Sequence, residues 1–454
     1  MNKSPWLEQL DQYRVVNEIA QDLETDIAVV GGGIAGMTTA YFLLKNTNKK
    51  VALVEAGKIA HGATGHNAGQ VLAYLEKPFH EIAKEHGKKM AIKAMDAIEG
   101  AWDLLQGMIE EAKLSTPLYK FSGYTGYSTF QEVLDLLELD HLNAQAGLNK
   151  EQILIADNAE YLGKIPAKYK KYYAIIPQKE ILDKLDTNNH KYTAVGVMLK
   201  GCMNSALFVE ELAGYLLRSY PERFRMYEHS PVEKIILNKV GAHLMVKKFL
   251  LIAQRVVLCT NGFENINVVD LISQKVDYKY HQEVKGVVGY MAGYKEKSDK
   301  SPGAFAYFEG QFNQKEAPYF YLTRRPYHNF DDGKSNLVTI GGPETFLPDN
   351  AAYDREHIYP MEAKEQIDKF IKGNIARDVR EDIDYRFFWH GLMGYTKSGL
   401  RMIGPDPCNP VLLYNLGCNG VGILTSVFGS KRVSQFISRK KLSAMIFDPY
   451  RDIC

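Results

Sequence analysis

Three glycines carry the first chemical suggestion. In Gly31-Gly-Gly33-Ile34-Ala35-Gly36 they take the first, third and sixth places of a turn. The apolar, β-branched run Asp26-Ile-Ala-Val-Val30 precedes them, as for a strand buried on both faces. Met37 to Lys45 follows and reads as a helix. In this setting each glycine has a use: Gly31 permits the tight turn, Gly33 lets backbone approach a pyrophosphate, and Gly36 lets helix and strand pack closely. The pyrophosphate would sit where the free N–H groups and the dipole of the helix N-terminus favour negative charge. Val51-Ala-Leu-Val-Glu55 is the next strand. Its last residue, Glu55, would accept hydrogen bonds from a ribose hydroxyl. A carboxylate there favours an unphosphorylated ribose, hence FAD or NAD rather than NADP. Gly31-xxxx-Gly36-Met37-Thr38 also nearly matches a triphosphate-binding loop, but Met37 stands where that loop requires lysine. A nucleoside triphosphatase is thereby disfavoured.

The elements around this unit are readable in outline. Residues 1–24 suggest a short amphipathic helix, and 79–113 carry apolar residues at helical spacing. From 114 to 194 the text turns aromatic and mixed, as for strands and loops. Ala206 to Ser219 is a helix, and Val232–Ile236, His243–Val246 and Arg255–Cys259 read as strands. Residues 276–345 are strand-like and rich in Tyr and Phe, and Glu362 to Ile375 is helical. The chain closes with a strand, a glycine turn at Gly417 to Gly422, and a long helix. The expected fold is α/β: a dinucleotide domain on a parallel sheet from residues 1–75, 195–275 and 386–454. Residues 76–194 and 276–385 form a substrate domain.

Composition excludes several classes. The 454 residues are 46% hydrophobic and 24% charged, an ordinary globular balance. With 55 basic and 54 acidic residues there is no broad electrostatic grip for nucleic acid. Cys202, Cys259, Cys408, Cys418 and Cys454 are scattered, with no zinc spacing, so neither a disulfide framework nor a metal site is expected. A reducing cytoplasm is the simplest setting. The uncharged stretches Ile27–Leu44 and Cys408–Ser430 are broken by glycines, and read as buried strand–turn–helix units, not membrane spans. No Ser/His/Asp or HExxH arrangement suggests a hydrolase.

The choice between FAD and NAD comes from further segments. Gly62-Ala-Thr64-Gly-His66-Asn67-Ala-Gly69-Gln70 follows the second strand. Near the C-terminus stand Trp389-His-Gly391-Leu-Met393-Gly-Tyr-Thr396-Lys-Ser398-Gly-Leu400-Arg401-Met-Ile403-Gly404 and Leu412-Leu-Tyr-Asn-Leu-Gly417-Cys-Asn-Gly420-Val421-Gly422. Together these resemble the FAD-dependent amine and amino-acid oxidoreductases of the D-amino-acid oxidase, glycine oxidase and sarcosine oxidase superfamily. Arg255-Val-Val-Leu-Cys-Thr260-Asn261-Gly262 resembles that family's second dinucleotide contact, and Val232 the residue whose backbone meets adenine. The resemblance implies a glutathione-reductase-like FAD domain with an antiparallel-sheet substrate domain. It implies FAD contacts at Gly31, Gly33, Ile34, Ala35, Gly36, Glu55, Ala56, Thr64, His66, Asn67, Gln70, Val232, Thr260, Asn261, Gly262, Gly391, Gly420, Val421 and Gly422. The sequence departs from the family pattern at Thr64, His66 and Ala68, and at Met393, Ser398 and Arg401. His66 stands where some members bind flavin covalently, so a covalent link and a non-covalent cofactor both remain open. Thr339 replaces the oxygen-activating lysine of sarcosine oxidase, leaving oxygen, a quinone or a carrier protein as the electron acceptor.

The activity implied is oxidation of a carbon–nitrogen bond in a small-molecule amine or amino acid to an imine that hydrolyses. The aromatic segment Phe305, Tyr307, Phe308, Tyr319, Phe320 and Tyr321 is expected to wall the substrate pocket. Arg324 or Arg325 would clamp a substrate carboxylate, and Tyr321, Arg324 and Arg401 are the candidate catalytic residues. Glu309 and Glu344 would instead greet a second ammonium, as in a polyamine. Rival readings are a flavin hydroxylase or dehydrogenase reduced by NAD(P)H, an NAD-dependent dehydrogenase, and a non-catalytic FAD-binding subunit.

Overall fold

In a computed structural model the residues described are 2–148, 152–262, 266–273, 276, 284–297, 300–309, 319–329, 335–348, 351–375 and 383–449. The strand Leu23–Val30 is the centre of the first sheet. It pairs in parallel with Val51–Val54 on one side and Phe249–Leu258 on the other. Phe224–Tyr227 and Leu412–Leu416 extend the parallel order at the two ends. Side chains alternate across this layer, so both faces need cover. Ile27 and Val29 pack under the helices Ile34–Asn46, Ser205–Ser219 and Ile423–Ile437. Ala28 and Val30 pack under an antiparallel meander of Val232–Leu237, Ala242–Val246 and the first half of Phe249–Leu258.

The chain leaves Leu23–Val30 to one side and later returns on the other. That switch point opens a crevice beyond the carboxyl ends of the strands, the place where open α/β sheets bind ligands. Gly31, Glu55, Cys259 and Gly417 all follow strand ends there.

Among the described residues the second sheet has ten strands, and it has its own aromatic core. Tyr385–Thr396, Val284–Lys297, Ser335–Phe346, Tyr319–Pro326 and Gly303–Phe308 run antiparallel in that order. Tyr119–Tyr127, Ala194–Cys202, Gln152–Ala156 and Tyr173–Ile176 complete the row, with Gln70–Leu72 added to Ala194–Cys202. The expected antiparallel order is broken at two pairs, Gly303–Phe308 with Tyr119–Tyr127 and Gln152–Ala156 with Tyr173–Ile176, which are parallel. Strands Ala194–Cys202 and Tyr385–Thr396 belong to this sheet, whereas boundaries drawn at 195 and 386 put them with the first.

Other expectations shift as well. Before residue 23 only Pro5–Glu8 is helical, capped by the Ser4 hydroxyl accepting from Trp6 N–H. The 79–113 stretch is three helices, Phe79–His86, Lys88–Glu99 and Ala101–Ala112, divided at Gly87 and Gly100. Within 114–194 lies a 16-residue helix, Phe130–Gln145, begun by a capping box in which Thr129 and Glu132 exchange backbone-to-side-chain bonds. Cys202, Cys259 and Cys418 are free thiols, Cys408 is disulfide-bonded against expectation, and Cys454 lies outside the described residues. Among the described residues no helix is long and apolar enough to cross a membrane.

Candidate active site

A cavity of about 1390 Å³ runs from the ends of the parallel strands to the face of the second sheet. Drug-sized ligands fill pockets of roughly 300–1,000 Å³, so this one has room for a dinucleotide and a further small molecule.

At its dinucleotide end the glycine turn behaves as its spacing predicts. Gly31 has φ of +105°, and a methyl there would lie 2.8 Å from the Cys259 carbonyl oxygen. A methyl on Gly36 would overlap the Gly31 carbonyl, so helix Ile34–Asn46 meets the strand end backbone to backbone. Glu55 closes the turn from the next strand. One carboxylate oxygen accepts from Gly32 N–H at 2.6 Å and the other from Gly57 N–H at 2.8 Å. Each oxygen keeps further acceptor capacity, and Glu55 lines the cavity. Thr64 Oγ1 accepts from Ile34 N–H at 2.9 Å, while the next helical N–H groups lack intrahelical acceptors.

The opposite wall is the C-terminal glycine turn. Asn261, itself at φ +69°, accepts from Gly417 N–H through its carbonyl and from Cys418 N–H through Oδ1. Its Nδ2 donates to Leu392 O at 3.3 Å, tying the turn to the second sheet. Gly420, Val421 and Gly422 then border the cavity at the uncapped start of helix Ile423–Ile437.

Between the two turns lies a buried guanidinium. Arg401 Nε donates to Asn415 Oδ1 at 2.7 Å and Nη2 to Asn415 O at 2.8 Å. Asn415 in turn donates to Ser430 Oγ, which bonds Thr38 and Thr39 of helix Ile34–Asn46. Burial pulls the Arg401 guanidinium down to about 10. No carboxylate among the described residues pairs with it. A buried cation without an anion is costly, and Arg401 faces the cavity.

These features fit an FAD. An uncompensated cation, two uncapped helix starts and a strand-end carboxylate suit the negative pyrophosphate and the ribose hydroxyls, respectively. Of the residues expected to hold it, Gly31, Gly33, Ile34, Ala35, Glu55, Ala56, Thr64, His66, Asn67, Gln70, Val232, Thr260, Asn261, Gly391, Gly420, Val421 and Gly422 line the cavity. Two do not. Gly36 sits in the strand–helix crossing, and Gly262 turns at φ +89° against Val284 and Leu416. Asn67 and Gln70 also have structural bonds, Asn67 to Thr64 O and Ser205 Oγ, and Gln70 to Leu322 O. His66 Nδ1 lies 2.9 Å from Gly62 O, and burial pushes its imidazole down to about 4. At neutral pH the ring is therefore neutral, and among the described residues Nε2 makes no hydrogen bond.

On the substrate side the aromatic segment divides by strand alternation. Phe308, Tyr319 and Tyr321 face the cavity, whereas Phe305, Tyr307 and Phe320 fill the core of the second sheet. The expected clamp at Arg324 is overturned. Its Nε donates to Glu296 at 2.6 Å and its Nη2 to Asp186, and it does not reach the cavity. Arg325 is likewise turned away, over the Trp6 ring and toward Gln9. Glu309 is bound to Lys191 and Tyr192. Thr339 is buried against Ala68 O. Of the substrate-side carboxylates expected from sequence, Glu344 alone lines the cavity. It is joined there by residues with no sequence signal: Glu76, Tyr395, Lys200 and Arg355. Glu76 lies in a plain loop after Gln70–Leu72, and only the fold brings it beside Gly420.

A two-sheet protein with a dinucleotide crevice and a second cavity wall from an inserted sheet is a flavoprotein oxidoreductase in architecture. Residues 26–435 match the family described as FAD dependent oxidoreductase, DAO, and the chain belongs to that family. Glycine oxidase from Geobacillus kaustophilus superposes over 95% of this chain and 100% of its own, with a TM-score of 0.68 at 18% identity. L-proline dehydrogenase from P. horikoshii does so over 95% and 98%, with a TM-score of 0.70 at 14% identity. A putative Rieske 2Fe-2S iron-sulfur protein of Bacillus subtilis is 29% identical over 31% of this chain and 27% of its own length. A probable oxidoreductase of Haemophilus influenzae is 19% identical over 60% and 56%. This chain thus spans little more than a quarter of the first relative and just over half of the second.

Proposed function

We propose that this FAD-dependent oxidoreductase oxidises the carbon–nitrogen bond of a small amine or amino acid to an imine, which water then hydrolyses to a carbonyl compound and an amine or ammonia. The observation that carries this reading is one continuous cavity, with dinucleotide-binding turns on one wall and Tyr321, Tyr395 and Phe308 on the other. Bound FAD would supply the acceptor for one hydride equivalent, that is two electrons and a proton. The chain's own residues prepare the substrate. The reacting nitrogen must lose its proton, and an aromatic, water-poor wall lowers an amine pKa by disfavouring the charged form. Glu55, Thr64, Gly420 and Arg401 would hold the cofactor, and the electron acceptor that reoxidises it would be oxygen, a quinone or a carrier protein. Non-covalent binding is part of this reading; Nε2 of His66 is the atom a covalent link would use.

The test is anaerobic addition of secondary amines and amino acids to the purified holoprotein. Loss of the oxidised flavin bands, with a carbonyl product formed in equal amount, is the expected result. Bleaching by NAD(P)H and by no amine would replace this reading with that of a nicotinamide-reduced flavoenzyme. Acid precipitation is expected to release the yellow colour to the supernatant; colour held in the pellet would mean a covalent link, which peptide mass would test at His66.

A further inference from the structure

Two carboxylates face the substrate end of the cavity without a cation. Glu76 and Glu344 both line it, and neither accepts a hydrogen bond nor joins an ion pair among the described residues. Both side chains are exposed to that space. Desolvation, with repulsion from nearby Glu76, pushes the Glu344 carboxyl up to about 7. Left alone, such a pair works against the fold, since like charges close together repel.

A second observation points to what relieves them. The Tyr321 hydroxyl is enclosed by protein, has no hydrogen-bond partner among the described residues, and opens on the same space. Tyr395 stands beside it in the same condition. A methyl built on Gly420 would lie 2.7 Å from the Tyr395 hydroxyl and 3.7 Å from Glu76 Oε2, so this group meets the C-terminal glycine turn directly. Two phenol rings and two carboxylates around one space are the chemistry of ammonium recognition: rings attract the cation by their faces, and carboxylates accept its N–H bonds. The cations that line the cavity have other neighbours: Arg355 stands beside Gly57 at the ribose end, Lys200 beside Thr125, and Arg401 on Asn415. Arg324 is held by Asp186 and Glu296.

We propose that Glu76, Glu344, Tyr321 and Tyr395 form a cation subsite for a second, non-reacting ammonium, so that the substrate is a diamine or longer polyamine rather than a simple α-amino acid. The proposal rests on the reading that this cavity oxidises carbon–nitrogen bonds. The reacting nitrogen is neutral when oxidised and gives the carboxylates no charge to pair with; a distal ammonium does.

Binding and reaction are separable in the test. The holoprotein is titrated anaerobically with 1,4-diaminobutane and with n-butylamine, and the shift of the oxidised flavin bands gives each affinity. A charged hydrogen bond is worth roughly 1.5–3 kcal/mol, so the diamine is expected to bind about 10- to 100-fold more tightly. In Glu76→Gln and in Glu344→Gln that preference is expected to fall toward unity, with flavin content reporting that each variant is folded. Equal binding of the two amines, or a preference surviving in both variants, overturns the subsite. If the diamine shifts the bands with the expected preference yet never bleaches them, the subsite stands and the oxidation reading falls.

Discussion

At the scale of single residues, the site is a balance of charges that the fold leaves uncompensated. Glu344 gives a stability prediction with a definite sign. Its native carboxyl titrates near 7, above its ordinary value of 4.5. The native state therefore holds a proton that the unfolded chain has lost, and stability declines as pH rises from about 4.5 through 7. Glu344→Gln is expected to raise the melting temperature at pH 8 and to match the parent at pH 4. The gain is on the order of 1 kcal/mol, because solvent in the open cavity screens the charge. His66 has the opposite sign: its imidazole is lowered to about 4, so its contribution is present above 6.5 and lost as pH falls through 4. Glu55 is a cofactor prediction: Glu55→Gln keeps an acceptor but loses its charge, and FAD affinity is expected to fall about 10-fold, read by flavin fluorescence on dilution. These positions differ in how plainly the sequence shows them. Glu55 ends a strand at a fixed distance from a glycine turn, so a local pattern finds it. Arg324 misled because an arginine beside cavity aromatics looks free in sequence; Asp186 and Glu296, which take its charge, come from distant strands and turns.

At the scale of elements, the helix Ile34–Asn46 is the piece on which cofactor binding depends most. Its first N–H is satisfied by Thr64 from another segment, not by its own cap, which is Gly33. Thr64→Val removes that acceptor while keeping the shape. It is expected to cost about 1 kcal/mol and to weaken FAD binding in parallel, as thermal melts with and without added FAD would show. Gly36→Ala is more severe. The added methyl meets backbone, the Gly31 carbonyl, and neither partner can rotate away. A loss of about 1–3 kcal/mol is expected, measured as a shift of the urea midpoint in the flavin-free protein. The parallel strands were legible because burial on both faces writes continuous apolar runs such as Ile27–Val30. The second sheet was less so. Its strands Tyr319–Pro326 and Gly303–Phe308 alternate between cavity and core with aromatics on both faces, so composition does not say which ring faces the substrate. Glycines Gly87 and Gly100 divide what periodicity joined into one helix.

At the scale of the whole molecule, the cavity is the joint between two sheets. Gly391 of the second sheet packs on the His66 carbonyl of the first unit, where a methyl would lie 2.6 Å from that oxygen. Asn261 reaches from a parallel strand end to Leu392 O, and Trp6 is fully buried, with Nε1 donating to Asn67 O at 2.6 Å. A ligand spanning that joint stabilises both units together, since it binds only when both walls are in place. At a free concentration of 100 times its dissociation constant, FAD is expected to add about 2.7 kcal/mol. For a chain of 454 residues, with unfolding entropy near 2.1 cal/mol/K per residue, that is a rise of roughly 3 °C. The decisive reading is whether the rise is shared. Trp102 lies in the helical cover near the first sheet and Trp389 in the second. Tryptophan emission, flavin release and proteolytic cutting within Tyr119–Tyr127 should all shift by the same amount as FAD is added. A shift in flavin release without a matching delay in those cuts would mean that the second sheet opens independently. The cavity would then be two half-sites joined by contacts such as Asn261 with Leu392, Thr339 with Ala68, and Gly391 with His66.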